Sequence, residues 1–301
     1  MSRIAFAVHG GAGPLRRLRM APDAESAVRR AIAARLEAGR TALEAGASAL
    51  DVVEQAVVAL EDDPLFNAGR GSALTIDGHV EMDATIADGR TRATGAVACV
   101  SRLANPVAAA RLVMERTPHV LLVGEAAERF AVAHGARAVD PASLVTEARR
   151  RELARLREPG SGDAAGTVGA VARDRDGHLA AATSTGGMAG QLRGRVGDSA
   201  VFGAGTWADD ATCAVSGTGH GEALIRCALA HEIDALVRHC TMPLAAACDA
   251  ALARVAALGS TGGCIALDRE GTVAARFNAA GMVRGWLDAT GRPVVAITAD
   301  E

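Results

Sequence analysis

The chain has 301 residues, enough for one large domain or two small ones, and half of them are hydrophobic, as in ordinary globular proteins. Aromatic residues make up only 2% and tyrosine is absent, so the core must consist of Ala, Val, Leu and Ile, and platforms for stacking bases are scarce. The net charge of −3 also argues against a nucleic-acid-binding surface.

Membrane insertion and secretion are not indicated. No run reaches the ~18–20 apolar residues that span a bilayer, and the apolar run at residues 4–8 is too short for a signal-peptide core. The six cysteines form no CxxC pair, and most lie in apolar stretches. We interpret them as small core residues in a reducing compartment, without disulfides or a metal site. The sequence therefore predicts a cytoplasmic protein.

The chain begins with an apolar strand, residues 4–8, and continues into His9-Gly10-Gly11-Ala12-Gly13. This glycine segment has neither the spacing of a dinucleotide fingerprint nor the Gly-Lys-Ser/Thr of a phosphate loop. It is either a tight turn from strand to helix or a place where the backbone approaches a ligand or another segment closely. His9 could be a base or a ligand, but a hydrogen-bonded loop histidine is the favoured interpretation.

Two helices follow, over residues 24–36 and 47–60, where apolar residues recur at helical spacing. Pro64 ends the second helix, because proline disfavours helix at the preceding residue. Acidic residues at this helix end oppose the helix dipole. A loop of turned-in carbonyls around a monovalent cation would compensate them, although a solvated acidic turn is the simpler explanation.

Further elements are predicted before residue 157. Asp77-Gly78 lies between two apolar stretches and is a strong signal for a hairpin of strands 72–76 and 80–86. The remaining predictions are a strand at 94–100, a helix at 105–116 with Pro106 in its first turn, a strand at 119–123 and helices at 124–134 and 143–156.

The segment Gly166-Thr167-Val168-Gly169 joins a polar stretch, residues 157–165, to an apolar strand. A Thr between two glycines at such a junction is usually the start of a strand, but it also suits a nucleophile or a cleavage point. Strands followed by two helices and then by strands predict an α+β protein with antiparallel sheets covered by helices. The elements predicted here are strands at 167–172, 179–183, 211–216, 262–267 and 272–276, a loop at 205–208, and helices at 218–239 and 243–258.

Polar residues cluster at glycine-rich strand ends in this second part. Arg195 and Asp198 could hold the carboxylate and the ammonium of an α-amino acid, or form a salt bridge with each other. Thr218-Gly219 could direct backbone N–H groups at a developing oxyanion, or Thr218 could be a helix N-cap.

A partner base for a nucleophile is missing from the sequence. There is no G-x-S-x-G motif, and the histidine spacing does not indicate zinc. A Thr at a newly made N-terminus would supply its own base, because its α-amine, with a pKa near ~8, can accept the hydroxyl proton.

Six blocks of the sequence, which keep their order and spacing over nearly the whole chain, resemble the plant-type L-asparaginases. That family is also called the isoaspartyl peptidases or β-aspartyl-peptidases, and it belongs to the N-terminal-nucleophile hydrolases. The blocks are His9-Gly10-Gly11-Ala12-Gly13, Phe66-Asn67-Ala68-Gly69, Gly166-Thr167-Val168-Gly169-Ala170-Val171, Thr183-Ser184-Thr185-Gly186-Gly187, Gly194-Arg195-Val196-Gly197-Asp198-Ser199 and Thr218-Gly219-His220-Gly221-Glu222.

The resemblance implies a single domain with a four-layer αββα sandwich. It also implies self-cleavage between Gly166 and Thr167 into an α subunit of residues 1–166 and a β subunit of residues 167–301. Thr167 would then be the nucleophile with its free amine as the base, and Thr185 would support it. The reaction would be hydrolysis of the side-chain amide of L-asparagine and of β-aspartyl dipeptides, with release of L-aspartate.

The resemblance also implies roles for the remaining site residues. Arg195 would bind the substrate α-carboxylate and Asp198 its α-ammonium, while Thr218 and Gly219 would form the oxyanion hole. The other implied assignments are Gly221 lining the same pocket, Asn67 near the nucleophile, and His9-Gly10-Gly11 ordering the cleavage region. No catalytic cofactor is implied, and αβ units would pair as dimers. A structural Na⁺, or K⁺, would be held by the backbone carbonyls of Leu60, Glu61, Asp63, Phe66, Ala68 and Arg70.

Two positions depart from related patterns. Residue 217 is Gly where Cys or Thr is expected, which affects the pocket wall. Residue 166 is Gly where the glycosylasparaginase branch carries Asp, so the asparaginase and isoaspartyl branch is preferred. The alternatives are a glycosylasparaginase-like amidase and, from a different class, an uncleaved homologue that binds amino acids without turnover.

Overall fold

The computed structural model describes residues 4–13, 22–156 and 166–301, so the polar stretch at 157–165 lies outside the described residues. Among the described residues no helix is long and apolar enough to cross a membrane. The strands are β1 (Ala5–Gly13), β2 (Met82–Asp88), β3 (Thr94–Val100), β4 (Leu121–Val123), β5 (Val168–Arg173), β6 (Leu179–Thr185), β7 (Thr206–Ala208), β8 (Cys213–Gly219), β9 (Gly262–Asp268), β10 (Val273–Phe277), β11 (Gly281–Leu287) and β12 (Pro293–Ala296).

Eight helices accompany these strands in the described ranges. They are α1 (Pro22–Glu44), α2 (Ala49–Glu61), α3 (Pro106–Arg116), α4 (Gly124–Ala133), α5 (Glu147–Leu156), α6 (Gly221–Cys227), α7 (Leu229–Cys240) and α8 (Leu244–Ala257). Single 3₁₀ turns occur at Pro141–Ser143 and Asp198–Ala200.

The strands form two sheets. One has eight strands in the order β12-β11-β1-β5-β6-β2-β3-β4, and the other has four in the order β10-β9-β8-β7. Every pairing is antiparallel except that of β3 with β4. The predicted antiparallel sheets are therefore confirmed, with a parallel edge that the pattern did not indicate.

Successive side chains along each strand point to opposite faces of the sheet, and this alternation produces the layers. On β1, Phe6 and Val8 point to the helices that cover the large sheet, while Ala5 and Ala7 point to the small sheet. Alanines dominate the inner faces of both sheets, so the sheets can approach closely. Helices α6, α7 and α8 cover the outer face of the small sheet. The layers are thus α, β, β and α, and the predicted α+β sandwich is confirmed.

Two local predictions near the N-terminus are wrong in part. His9 to Gly13 is not a turn, because β1 runs to Gly13 through an irregularity in its register with β11 between His9 and Gly11. The predicted strand at 72–76 is reduced to one bridge between Leu74 and Val80, although the turn at Gly78 forms.

The predicted helix over residues 218–239 is also wrong in part. Thr218 and Gly219 end strand β8, and the helix begins only at Gly221. It is then interrupted at Ala228, which adopts the left-handed conformation with φ 46°. The predicted loop at 205–208 contains strand β7, which pairs with β8. The remaining predicted helices and strands are present, with ends shifted by a few residues and with α1 extended to Glu44.

Helix α3 lies directly on β3 at Gly95, and this contact generates a test of the packing. A Cβ at residue 95 would overlap with the carbonyl oxygen of Ala110 and lie 2.6 Å from the backbone nitrogen of Met114. Because these are backbone atoms that cannot rotate away, we expect Gly95→Ala to lower the free energy of unfolding by about 2–3 kcal/mol. Urea denaturation measures the change.

Gly217→Ala is the matched control, since Gly217 is also a strand glycine but a Cβ there would make only ordinary contacts, at 3.4 Å or more. We expect this variant to equal the wild type or exceed its stability by up to ~1 kcal/mol. Equal stability of the Gly95→Ala protein would contradict the direct contact of helix and sheet.

Candidate active site

The site is organised around the peptide bond that precedes Thr167. Thr167 is buried and lies immediately before β5. The carbonyl oxygen of Gly166 accepts hydrogen bonds from Asn67 Nδ2 at 2.6 Å and from Thr185 Oγ1 at 2.9 Å. Two donors aimed at one carbonyl oxygen stabilise negative charge that develops on it, which is the arrangement of an oxyanion hole.

Asn67 is held rigidly in the orientation that this hydrogen bond requires. Its Oδ1 accepts from the N–H of Ala73 at 2.6 Å, and its Nδ2 donates to the carbonyl of Gly187 at 2.7 Å as well as to Gly166. Because Oδ1 faces an N–H and Nδ2 faces two carbonyls, a flipped amide would lose all three bonds. The donor at the Gly166 carbonyl is therefore fixed in advance.

Thr185 ends strand β6, and its hydroxyl donates one hydrogen bond and accepts another. It donates its hydrogen to the Gly166 carbonyl and accepts from the N–H of Gly187 at 3.0 Å. Thr167 Oγ1 lies 3.4 Å from Thr185 Oγ1, and this distance is longer than that of an ordinary O–H···O bond. The Thr167 hydroxyl is thus adjacent to Thr185 but not tightly bound by it.

His9 lies beneath this region in β1 and is part of a buried polar network. Its Nε2 is 2.9 Å from Ser216 Oγ, which is itself 2.7 Å from Thr183 Oγ1. Burial lowers the pKa of His9 to about 3, so the ring is uncharged at neutral pH. A Cβ at Gly169 would overlap with Ser216 Oγ and lie 2.5 Å from His9 Nε2. The second glycine of Gly166-Thr167-Val168-Gly169 therefore makes room for this network.

Strand β1 lies against both Thr218 and the backbone of Thr167. The N–H of Ala12 donates to Thr218 Oγ1 at 3.1 Å, and a Cβ at Gly11 would lie 3.3 Å from the nitrogen of Thr167. Because the Thr218 hydroxyl accepts this bond, its own hydrogen can be donated to a further acceptor. The N-cap interpretation of Thr218 is wrong, since the residue belongs to β8 and the cap position of α6 is His220.

Arg195 does not form the salt bridge with Asp198 that was one interpretation of their spacing. Its Nε and Nη2 instead donate to the two carboxylate oxygens of Glu222, both at 2.9 Å. This pairing uses one edge of the guanidinium. The end formed by Nη1 and Nη2 makes longer contacts, because Nη1 donates to Gln191 Oε1 at 3.3 Å and Nη2 lies 3.4 Å from Met188 Sδ. Glycines flank that end, because a Cβ at Gly197 would lie 2.9 Å from Nη1 and one at Gly221 would lie 2.7 Å from Nη2.

Asp198 is buried and has a carboxylate oxygen, Oδ2, without a hydrogen-bond partner among the described residues. Burial raises the pKa of Asp198 to about 7, although the Arg195 guanidinium offsets part of the rise. A Cβ at Gly221 would lie 3.0 Å from Asp198 Oδ1, so Gly221 leaves space between Asp198 and Arg195. A buried acid with an unused oxygen suits a cationic ligand.

The loop between α2 and residue 71 closes on itself. The N–H of Arg70 donates to the carbonyl of Glu61 at 2.7 Å, and Gly69 and Gly71 have φ values of 49° and 106° that allow the turn. Within the described part of the chain, no donor reaches the carbonyls of Phe66, Ala68 or Arg70. Unpaired backbone carbonyls are suitable ligands for a hard cation such as Na⁺, so the predicted loop fits such an ion.

Three acidic residues at the site were not singled out from the sequence. Glu222 lies in a matched block and pairs with Arg195, while Glu81 and Asp83 bond to the backbone of the Arg195 segment. The available signal was the presence of two acids, two residues apart, in an otherwise apolar strand pattern. Such a pair in a buried strand requires partners.

Comparisons with known proteins agree with this geometry. Residues 2–297 match the family described as Asparaginase. An isoaspartyl peptidase from Salmonella typhimurium is 49% identical over 99% of both chains. One from Escherichia coli is 48% identical over 99% of this chain and 97% of the relative, and an isoaspartyl peptidase/L-asparaginase from Danio rerio is 44% identical over 90% and 88%. With a match that spans nearly its whole length and relatives close to half identical, the chain belongs to the asparaginase family.

Proposed function

We propose that this protein is a self-processing threonine hydrolase that cleaves the side-chain amide of L-asparagine and of β-aspartyl dipeptides and releases L-aspartate. The observation that carries the proposal is the carbonyl of Gly166, which accepts from Asn67 and Thr185 beside the Thr167 hydroxyl. The names of the relatives, isoaspartyl peptidase and isoaspartyl peptidase/L-asparaginase, support the substrate class.

Self-cleavage is the first reaction. Oγ1 of Thr167 attacks the carbonyl carbon of Gly166, and the charge that develops on the oxygen is stabilised by Asn67 Nδ2 and Thr185 Oγ1. The C–N bond then breaks, and its nitrogen takes up the proton that the hydroxyl loses and becomes the α-amine of Thr167. Water hydrolyses the resulting ester, which leaves residues 1–166 and 167–301 as separate chains and restores the Thr167 hydroxyl.

Amide hydrolysis uses the products of that cleavage. The free amine of Thr167 accepts the hydroxyl proton, and Oγ1 attacks the side-chain carbonyl of the substrate. Thr218 and Gly219 stabilise the tetrahedral oxyanion, and the leaving ammonia or amine takes up a proton. Water then hydrolyses the aspartyl ester, and the Thr167 hydroxyl is regenerated.

Substrate recognition requires both charged ends of an α-amino acid. The Nη1 and Nη2 end of the Arg195 guanidinium, which makes only longer contacts with Gln191 and Met188, suits the α-carboxylate. The unpartnered Asp198 oxygen suits the α-ammonium. Gly221, which lies between them, leaves the Cα of the substrate room. A glycosylasparaginase activity would differ in the group that leaves, so release of a glycosylamine against release of an amino acid distinguishes the two.

Three further features complete the proposal. The carbonyls of Leu60, Glu61, Asp63, Phe66, Ala68 and Arg70 hold a structural Na⁺ or K⁺, which compensates the acidic end of α2 and takes no part in the chemistry. Two αβ units pair as a dimer. The protein acts in the cytoplasm, in keeping with six cysteines that form no CxxC pair.

Replacement of the nucleophile tests the two reactions together. We expect the wild type to yield two fragments, the second beginning at Thr167, and to hydrolyse a β-aspartyl dipeptide. Thr167→Ala should remain full-length and lose at least about a thousandfold in turnover, because both reactions need its hydroxyl. Intact-mass spectrometry and an aspartate-release assay measure the two effects.

Two matched variants accompany this measurement. Thr167→Ser keeps a hydroxyl and should retain cleavage, whereas Thr91→Ala removes the hydroxyl of an exposed threonine and should behave as the wild type. A fragment beginning at residue 167, or undiminished hydrolysis, in the Thr167→Ala protein would contradict the proposal.

Asn67→Ala tests the donor at the Gly166 carbonyl. Loss of one preorganised oxyanion donor costs about 10²–10³-fold in rate, so we expect self-cleavage to slow by that factor. The appearance of the Thr167 fragment with time after synthesis measures it. Asn105→Ala is the control, since the Asn105 amide bonds to the carboxylates of Asp62 and Glu61 and not to the Gly166 carbonyl. Cleavage of Asn67→Ala at the wild-type rate would show that its amide does not act on this bond.

The ion proposal predicts a thermal stability that depends on the cation. A bound ion at about ten times its Kd adds ~1.4 kcal/mol, which corresponds to a rise of about 2–4 °C in melting temperature. The melting temperature in NaCl or KCl should therefore be higher than the melting temperature in choline chloride at equal ionic strength. Gly71→Ala, whose Cβ would press on the carbonyls of Phe66 and Pro64 at 2.8 Å, should abolish the difference. Equal melting temperatures of the wild type in all three salts would refute the proposal that this loop binds an ion.

A further inference from the structure

Two carboxylates at the start of β2 bind the segment that carries Arg195 and Asp198. Glu81 Oε2 accepts from the N–H of Gly194 at 2.7 Å, and Asp83 Oδ2 accepts from the N–H of Gly197 at 3.2 Å. We name Glu81 and Asp83 the acidic clamp, because their two bonds enclose the backbone between residues 194 and 197. Both residues are buried, 7% and 2% exposed.

Local strand geometry directs both side chains to the same place. Residues two apart along an extended chain point to the same face, so Glu81 and Asp83 project together. Asp83 also lies at a register shift between β2 and β3, where Cys99 adopts φ 53°. Its Oδ1 accepts from the N–H of Cys99 at 3.0 Å. Bulges beside active sites re-aim side chains, and this one points Asp83 at the Arg195 segment.

The clamp carries charge as well as hydrogen bonds. Burial raises the pKa of Asp83 to about 6, while the N–H groups of Cys99 and Gly197 favour its ionised form, so it is mostly charged at neutral pH. The charged groups that face Asp198 are Arg195, Asp83 and Glu222. The first lowers the pKa of Asp198, whereas the two carboxylates raise it.

We infer that Glu81 and Asp83 are positioning residues that set the specificity for a substrate with an α-ammonium group. They hold the backbone that places Arg195 and Asp198 opposite each other, and the negative charge of Asp83 adds to the field that attracts the ammonium. This inference rests on the proposed function, because it concerns the substrate pocket of the same enzyme.

The first readout is the balance between KM and kcat. In Asp83→Asn the amide cannot accept from both N–H groups, so the segment loses a charge-assisted bond and KM for a β-aspartyl dipeptide should rise about tenfold or more. The kcat should change by less than about threefold, because the groups around Thr167 are untouched. Glu81→Gln should raise KM in the same way, and Asp77→Asn, an exposed acid of the preceding turn, should not.

The second readout is discrimination between two substrates. One is the β-aspartyl dipeptide, and the other is its analogue without the α-amino group, a succinyl amide of the same amino acid. The ratio of their kcat/KM values cancels the titration of the Thr167 amine, which both substrates share. In the wild type this ratio should rise with pH as Asp198 ionises near pH 7, and it should fall again above the pKa of the dipeptide α-amine, near ~8.

Asp83→Asn should change this ratio in two ways. The maximum of the ratio should fall by about tenfold, the value of one weakened charged contact. The midpoint of its pH dependence should move to lower pH, because removal of a neighbouring negative charge lowers the pKa of Asp198. A merely structural defect would lower kcat/KM for both substrates by the same factor. It would not lower the midpoint of the pH dependence of the ratio.

The outcomes separate this inference from the proposed function. If the wild type fails to hydrolyse the dipeptide, the proposed function is wrong. If the wild type hydrolyses it while Asp83→Asn keeps the wild-type KM, ratio and midpoint, the acidic clamp is not a specificity device. Self-cleavage at Thr167 reports folding of each variant. Should Asp83→Asn fail to self-cleave, Glu81→Gln decides: a raised KM supports the inference, and an unchanged KM overturns it.

Discussion

The hydrogen bonds from Asn67 and Thr185 to the Gly166 carbonyl are the constraint on which the rest of the site depends. Asn67 belongs to the loop that follows α2, Thr185 ends β6, and Gly166 precedes β5, so three separate segments must meet at one oxygen. The meeting is reinforced on both sides. The N–H of Gly186 donates to the carbonyl of Asn67, and the Ser184 hydroxyl donates to the Glu61 carboxylate at 2.6 Å. The loop proposed to hold an ion is thereby tied to the strand that ends in Thr185.

Close approach of the two sheets makes this convergence feasible. Their inner faces are lined mainly by alanine, so a strand of the small sheet can place Ser216 and Thr218 against β1. The polar network from His9 through Ser216 to Thr183 crosses the interface, and burial keeps the His9 ring uncharged within it. The aromatic residues that pack against this interface, Phe202, Phe277 and Trp286, are only partly buried.

The sequence predicts the layers and the family but not the contacts of its charged groups. Strand periodicity and proline or Asp-Gly signals place most elements, and the six matched blocks single out Thr167, Thr185, Arg195 and Asp198. Residues 218 and 219 were assigned to a helix because a glycine-rich polar run before an apolar stretch resembles a helix start. Pairing of residues 218 and 219 with Gly263 and Gly262 of β9 overrides that local preference, and such long-range pairing is invisible in one sequence. The pairing of Arg195 with Glu222 was missed for the same reason.

Glu222 and the acidic clamp together explain why an arginine beside several acids remains available to a ligand. Glu222 fixes one edge of the guanidinium with two bonds, and the clamp fixes the backbone that carries it. The Nη1 and Nη2 end of the fork is therefore held in place before substrate arrives. One cation, Arg195, then faces the buried acids Asp83 and Asp198 and the exposed acid Glu222. A ligand with only a carboxylate would leave that negative excess unbalanced, whereas an α-amino acid brings an ammonium to Asp198 as its carboxylate reaches Arg195. With the roles proposed for Arg195 and Asp198, we therefore expect the pocket to select the zwitterion through its charge as well as through its shape.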